Sequence, residues 1–153
     1  MKYVVDKACL IHSVDSLRLA QAVSQEGVKK QVTVPILIEV NMAGEESKFG
    51  VKPQEAESLI REIARLPAVS VQGLMTIAPF VADPEENRIH FANMKKLCVD
   101  IKGKNIDNVN MNVLSMGMTG DYEVAIEEGA TMIRVGTGIF GERKFGERLE
   151  TMQ

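Results

Sequence analysis

The stretch that decides the fold of this chain is LSMGMTGDYEVAIEEGATMIRVGTGIFGER, residues 114–143. It has the pattern of a strand, a glycine turn, a short helix, a second strand and a second glycine turn. The turns, residues 115–119 (SMGMT) and 136–138 (GTG), combine glycine with hydroxyl side chains and free backbone N–H groups. Parallel α/β proteins bind phosphate with turns of this kind at neighbouring strand ends.

The same alternation of strands and helices extends upstream. Pro53 occupies the first helical position, and Ala56 and Ile60 belong to an apolar stripe of helical spacing behind it. Asp83, followed by a proline and two glutamates, is typical of a helix start. We predict strands at residues 9–14, 34–41, 69–77, 110–114 and 131–135. We predict four helices. The first covers residues 15–26 and stops at Gly27, and the second begins at residue 53. The third runs from residue 83 to Gly103, and the fourth begins after a cap at Thr119 or Asp121.

The order of these elements predicts a parallel sheet with helices packed outside it. Five strands fit either an open doubly wound sheet or part of an eight-stranded barrel. The barrel is favoured because the glycine turns follow the last two strands, where barrels bind phosphate, and none follows residues 9–14. We therefore predict a partial (β/α)8 TIM barrel of about five parallel strands with flanking helices, over residues 1–145. Residues 146–153 are predicted to be a charged, frayed tail.

The composition excludes several classes of protein. Hydrophobic residues make up 45% and charged residues 25%, and the net charge is −3 without a basic stripe, so we expect no nucleic-acid partner. The apolar runs are strand-sized, which predicts no membrane span. Two cysteines and two histidines, all isolated in sequence, predict no metal site and a cytoplasmic location.

The two glycine turns predict a phosphate site. Ser115 and Thr119 supply hydroxyls, Gly117 supplies exposed backbone N–H groups, and Gly136 and Thr137 add donors from the adjacent strand end. The alternative is that the glycines merely make tight turns, and each turn taken alone favours this alternative. Both turns on adjacent strands favour a ligand.

Arg134 lies two residues before the second turn and places a cation at the same end of the predicted sheet as the two glycine turns. The alternative is a structural ion pair, for example with Glu39. Asn41 and Met75 lie near strand ends and are weaker candidates for lining the ligand. Because neither a Ser–His–acid arrangement nor a close carboxylate pair stands out, we predict no catalytic residue.

Five segments in register resemble the pyridoxal phosphate homeostasis protein family, single-domain barrels similar in fold to the barrel domain of alanine racemase. They are residues 10–16 (LIHSVDS), 39–50 (EVNMAGEESKFG), 73–77 (GLMTI), 114–119 (LSMGMT) and 134–141 (RVGTGIFG). The resemblance covers nearly the whole chain but only about the C-terminal two-thirds of the family. It therefore implies that the chain supplies strands 4–8 of the barrel.

The resemblance implies a carrier or buffer of pyridoxal 5′-phosphate rather than an enzyme. In the family Arg134 would face the pyridine nitrogen and keep it unprotonated, which supports carbanion chemistry poorly. The family's Schiff-base lysine lies in a segment that precedes this match, so we expect non-covalent binding at best. The open barrel predicts self-association or a complementing N-terminal segment as partner.

Two rival functions stay open at this stage. One is a barrel enzyme with a phosphate site, such as a pyridoxal phosphate-dependent, racemase-like protein. The other is a truncated fragment that binds nothing. Turnover would favour the first, and failure to bind phosphate or pyridoxal phosphate would favour the second.

Overall fold

Five parallel strands form one sheet in which each strand pairs with the next along the chain. The computed structural model describes residues 3–46 and 48–142. The strands are β1 (Ile11–Val14), β2 (Val34–Glu39), β3 (Val69–Met75), β4 (Val109–Met118) and β5 (Met132–Arg134). The helices are α1 (Leu17–Lys30), α2 (Pro53–Ile63), α3 (Arg88–Gly103), which follows a 3₁₀ turn at Pro84–Asn87, α4 (Tyr122–Glu127) and α5 (Thr137–Phe140). The predicted alternation of strands and helices is confirmed.

The hydrophobic core lies between the sheet and the helices that cover one of its faces. Ile36 and Ile38 of β2 are fully buried in a single cluster that includes Ile60 of α2 and Phe91 of α3. Residues of α1 and α4 belong to the same cluster. A doubly wound sheet would carry helices on both faces. The arrangement is therefore a half-barrel, in agreement with the predicted partial barrel.

The face that the helices leave uncovered carries a buried row of side chains. Glu39 pairs in register with Met75, and Met75 pairs with Ser115. All three residues are buried. Since successive strand residues alternate between faces, Glu39 lies opposite the core residue Ile38. This row positions the polar groups of the candidate site.

The first helix is longer than predicted, and Gly27 does not end it. α1 runs to Lys30 and stops where Gln31 adopts the left-handed conformation, with φ of 56°. A Cβ at Gly27 would lie 3.0 Å from the carbonyl oxygens of Ala68 and Val32. The prediction of a stop was wrong because this glycine serves close packing inside the helix.

The fourth strand does not end at Leu114, as predicted, but continues to Met118. Ser115 and Gly117 are therefore strand residues and not turn residues. Gly117 has φ of 94°, and the pairing with β5 shifts register between Ser115 and Met118. A glycine in this conformation bends the strand as a bulge, a local feature that resembles a turn in sequence.

Two predicted helix starts are confirmed. Pro53 is the first residue of α2, whose inner residues Ala56 and Ile60 are buried. The Asp83 carboxylate accepts a hydrogen bond from the Glu85 N–H at 3.0 Å and begins the 3₁₀ turn before α3.

The predicted tail at residues 146–153 lies outside the described residues. In the described part of the chain, no helix combines the length and the apolar character that crossing a membrane requires.

Candidate functional site

The loops that follow β4 and β5 meet at the hydroxyl of Thr119. Its Oγ1 accepts hydrogen bonds from the backbone N–H of Gly136 at 3.3 Å and of Gly138 at 3.2 Å. Both loops leave the carboxyl ends of adjacent parallel strands, so they share one mouth of the sheet. A threonine hydroxyl has two acceptor positions and one proton. With both acceptor positions filled, Thr119 has its O–H proton to offer to a ligand.

A cleft of about 1020 Å³ opens at this mouth. Four of the predicted cofactor residues line it, namely Gly117, Thr119, Gly136 and Thr137. Part of its lining is apolar and exposed, with Phe80 and Phe140 extending into solvent. The cleft therefore combines backbone donors with a hydrophobic surface, as ligand sites commonly do.

Gly117 brings the end of β4 close to α4. A Cβ at this position would lie 2.6 Å from Cβ of Ala125 and 3.0 Å from Cα of Tyr122. Neither the backbone conformation nor the available space admits a side chain. The glycine thus fixes where the backbone of the first loop begins.

Arg134 lies on the uncovered face of the sheet, held by partners from two other strand ends. Its Nη1 donates to Oγ of Ser115 at 2.5 Å, and its Nη2 donates to the carbonyl oxygen of Thr76 at 2.9 Å. Burial lowers the pKa of the guanidinium, and the charges of Glu39 and Asp121 oppose this shift. Arginine remains protonated in proteins, so a fixed cation faces the interior of the half-barrel.

Ser115 connects Arg134 to His12 of β1. Nδ1 of His12 lies 3.1 Å from Oγ of Ser115. Because Ser115 accepts from Arg134, its own proton is available to Nδ1, and we assign the proton of neutral His12 to Nε2. Burial and the charge of Arg134 both lower the pKa of His12, which favours this neutral form.

Glu39 is a buried carboxylate near this group. Burial raises its pKa, the negative charge of Asp15 raises it further, and Arg134 lowers it. In the described part of the chain, the hydrogen bonds of Arg134 go to Ser115 and Thr76, and Glu39 acts on it through charge. The alternative of a direct Arg134–Glu39 ion pair is not what this geometry favours.

The structure separates the other predicted residues from the cleft. Asn41 closes its own loop, because its Nδ2 donates to the carbonyl oxygen of Glu45 at 2.7 Å and its Oδ1 accepts from the Gly44 N–H at 3.0 Å. Met75 is buried between Glu39 and Ser115 in the row on the uncovered face. Ser115 itself belongs to the Arg134 group and not to the lining of the cleft.

Sequence reasoning missed Asn87, which lines the cleft at the start of α3. Its Nδ2 donates to the carbonyl oxygen of Pro79 at 2.8 Å and to Oδ2 of Asp121 at 2.9 Å. The available signals were the helix start at Asp83, four residues earlier, and Asp121 as a helix cap. Neither indicated that the two side chains meet, because 34 residues separate them.

One protein family, described as the alanine racemase N-terminal domain, has a model that matches residues 2–144 of this chain. The chain belongs to the alanine racemase N-terminal domain family. The matched range includes all five strands, both glycine-containing loops and Arg134. The family therefore accounts for the half-barrel and for the elements that build the cleft.

Several curated relatives carry the name pyridoxal phosphate homeostasis protein, and two of them illustrate the match. The protein of Aquifex aeolicus (strain VF5) is 44% identical over 145 residues, which is 95% of this chain and 63% of the relative. The protein of Pseudomonas aeruginosa PAO1 is 36% identical over 136 residues, which is 89% of this chain and 56% of the relative. The resemblance found in the motifs is confirmed, and the chain spans about three-fifths of these relatives.

A solved structure of PipY from Synechococcus elongatus PCC7942, with pyridoxal phosphate bound, has the same architecture. The TM-score is 0.81 at 29% sequence identity. The match covers 92% of this chain and 64% of PipY. A protein solved with pyridoxal phosphate bound thus shares the half-barrel of this chain.

Proposed function

We propose that this chain binds pyridoxal 5′-phosphate and takes part in intracellular pyridoxal phosphate homeostasis as a cofactor carrier or buffer. The phosphate would be held by Gly117, Thr119, Gly136 and Thr137, and the ring would face Arg134. The relatives named for this role and the cofactor in PipY support the proposal. The observation that carries it is the meeting of both glycine-containing loops at the Thr119 hydroxyl.

The hydrogen-bond donors at the mouth of the cleft fit a phosphate group. The O–H proton of Thr119 is a donor, as are the backbone N–H groups of the two loops other than those that Gly136 and Gly138 donate to Thr119 and Met118 donates to Asp121, and phosphate oxygens are acceptors. A Cβ at Gly138 would lie 2.9 Å from Cγ2 of Thr119, so the second loop approaches the hydroxyl closely. This close approach supports a compact anion site.

Arg134 fits the ring end of the same ligand. Two of its five N–H groups are used in its contacts to Ser115 and Thr76, and among the described residues the others are available to an acceptor such as a pyridine nitrogen. Pyridoxal phosphate supplies an aldehyde and an electron-withdrawing ring. Arg134 would keep the ring nitrogen unprotonated and so weaken it as an electron acceptor. This role suits a carrier better than an enzyme, and we propose a cytoplasmic location for it.

We further propose that the five strands correspond to strands 4–8 of an eight-stranded barrel. The loops proposed to bind phosphate follow β4 and β5, and barrels commonly bind phosphate at the loops after their last two strands. A complementing N-terminal segment or a second copy of the chain would then pair with the free edges of β1 and β5. Binding of pyridoxal phosphate to residues 1–153 alone would be non-covalent.

The proposal is tested by calorimetric titration of the chain with pyridoxal phosphate, pyridoxal and inorganic phosphate. We expect binding of pyridoxal phosphate, much weaker binding of pyridoxal, and roughly tenfold weaker binding of pyridoxal phosphate by Thr119→Val, since a hydrogen bond to a charged group is lost. Thr33→Val, the same change at an exposed residue before β2, is the matched control and should bind as the wild type does.

Three outcomes would contradict parts of the proposal. Equal affinity for pyridoxal and pyridoxal phosphate would rule out the phosphate site. A stoichiometric lysine adduct that borohydride traps by reducing its imine to a secondary amine would overturn the non-covalent mode. Turnover of an amino acid by the loaded chain would favour a racemase-like enzyme.

A further inference from the structure

Asn87 is only 1% exposed, and it joins two loops of the cleft. Its Nδ2 donates to Pro79, in the loop after β3, and to Asp121, in the loop after β4. Both partners are acceptors, which fixes the orientation of the amide. Oδ1 of Asn87 is buried without a hydrogen-bond partner among the residues that the structure describes. The described hydrogen bonds of this side chain are therefore those of Nδ2.

Asp121 connects Asn87 to the backbone at the end of β4 through hydrogen bonds. Its Oδ1 accepts a hydrogen bond from the Met118 N–H at 2.7 Å, while its Oδ2 accepts from Asn87. Met118 lies between Gly117 and Thr119, the two residues of this loop proposed to bind phosphate. The carboxylate thus holds the loop with a donor on each oxygen.

We infer that Asn87 and Asp121 are a positioning pair that sets the phosphate affinity of the cleft. Asn87 fixes Asp121 against the loop after β3, and Asp121 fixes the backbone at Met118. This orders the residues that present the Thr119 proton and the Gly117 backbone, so less conformational freedom is lost when an anion binds. The inference rests on the proposed phosphate site and adds two lining residues that act by ordering the loop rather than by donating to the phosphate.

The pair can be tested by exchanging its two side chains. Asn87→Asp places a carboxylate beside Asp121 and removes the donor to Pro79 and Asp121. In the double variant N87D/D121N, the amide of the new asparagine donates to the new carboxylate, and its oxygen still accepts from Met118. The double variant keeps the composition and net charge of the wild type and sacrifices the contact to Pro79 alone.

The measurement is an NMR titration of the full chain with inorganic phosphate and with pyridoxal phosphate, together with the hydrogen-exchange rate of the Met118 amide. We expect Asn87→Asp to weaken both ligands about tenfold and to accelerate exchange at Met118. The double variant should recover affinity to within about threefold of the wild type, because the hydrogen bond between positions 87 and 121 is restored and the oxygen at position 121 again accepts from Met118. Asn112→Asp, which adds the same charge on β4 beside Lys102, should leave affinity unchanged.

The outcomes separate this inference from the proposed function. Wild-type affinity in Asn87→Asp, or a double variant as weak as the single one, would overturn the positioning role while leaving the phosphate site intact. Failure of the wild type to bind either ligand would overturn the proposed function and this inference with it. A loss of thermal stability in Asn87→Asp without a loss of affinity would show that the pair is structural only.

Discussion

Nδ1 of His12 on β1 lies 3.1 Å from Oγ of Ser115 on β4, although two strands separate β1 from β4 in the sheet. Neighbouring strands are about 4.8 Å apart, so in a flat sheet the backbones of β1 and β4 would be separated by about 14 Å. The contact is possible because the sheet curls with this face on its inside. The short distance between these two side chains therefore indicates that the sheet is curved like the wall of a barrel.

The hydroxyl of Ser115 is the shared hydrogen-bond partner of His12 and Arg134, and removing it should lower the stability of the chain. In Ser115→Ala the buried donors of Arg134 and the ring of His12 lose their common partner, so we expect the free energy of unfolding to fall by about 1–3 kcal/mol. Urea denaturation measures the change. Ser70→Ala on β3, which loses a contact to the neighbouring Gln72, is the matched control and should change stability by less than about 1 kcal/mol. Equal losses in the two variants would contradict the special position of Ser115.

His12 should make stability depend on pH. Its pKa in the folded chain is lowered from the ordinary value of 6.5, so below that value the unfolded chain binds more protons. Stability should therefore fall as pH is lowered from 6.5 through the folded-state pKa of His12. Arg134 is the cation whose charge lowers the pKa of the ring; Glu39 acts by charge on Arg134, and Asp15 acts by charge on Glu39.

The His12 prediction is measured by ¹⁵N NMR of the imidazole and by urea unfolding at about pH 7.5 and about pH 5.5. We expect the spectrum of an Nε2–H tautomer and a pKa below 6.5. His12→Gln should show a smaller loss of stability between the two pH values. A ring that titrates above 6.5 would contradict the assignment.

Gly117, near the end of β4, and Gly120, in the loop after it, offer a matched pair. A Cβ at Gly117 would contact Ala125 and Tyr122 in a backbone conformation that disfavours side chains, whereas a Cβ at Gly120 would have no atom within 4 Å. We expect Gly117→Ala to lower the free energy of unfolding by about 1–3 kcal/mol and to weaken phosphate binding. Gly120→Ala should be near neutral by thermal melting and by titration. Equal effects would mean that the bulge does not shape the loop.

The sequence predicted those parts of the fold that depend on local chemistry. Pro53 and Asp83 act on residues within one helical turn, and the strand that begins at Val69 depends on its own β-branched pattern. The predicted helix stop at Gly27 and the predicted turn at Gly117 were wrong because each glycine is required by a close approach of another part of the chain. Ala68 approaches Gly27, and Ala125 approaches Gly117. The same limit concealed Asn87, whose partners Pro79 and Asp121 come close only in the folded sheet.

Gly27 and Gly103 provide a direct test of this distinction. Both are helical, but a Cβ at Gly27 would crowd Ala68 and Val32, while one at Gly103 would meet open space. Alanine is the better helix former by about 1 kcal/mol, so Gly103→Ala should stabilise the chain by up to that amount. Gly27→Ala should destabilise it despite the same gain in propensity. Urea denaturation compares the two, and a stabilised Gly27→Ala would show that α1 can move away from Ala68.

The edges of the sheet should make residues 1–153 self-associate. In the described part of the chain β1 and β5 each have one unpaired edge, and such edges pair with other chains. We expect light scattering after size exclusion to give a mass above 16.9 kDa that rises with concentration. Met132→Lys, which places a charge on β5, should shift the chain toward the monomer. A monomer with a sharp cooperative melt at all concentrations would contradict this prediction.

The continuation of β4 to Met118 has a consequence for the size of the ligand. One strand carries Ser115, which holds Arg134, and Gly117, which opens the loop to Thr119. The distance between Arg134 and the proposed anion-binding loop is therefore linked to the backbone of β4, which carries both the Ser115 partner of Arg134 and the start of that loop. Molecules whose ring acceptor and phosphate are too far apart, or too close together, would satisfy one end of the site and lose the other.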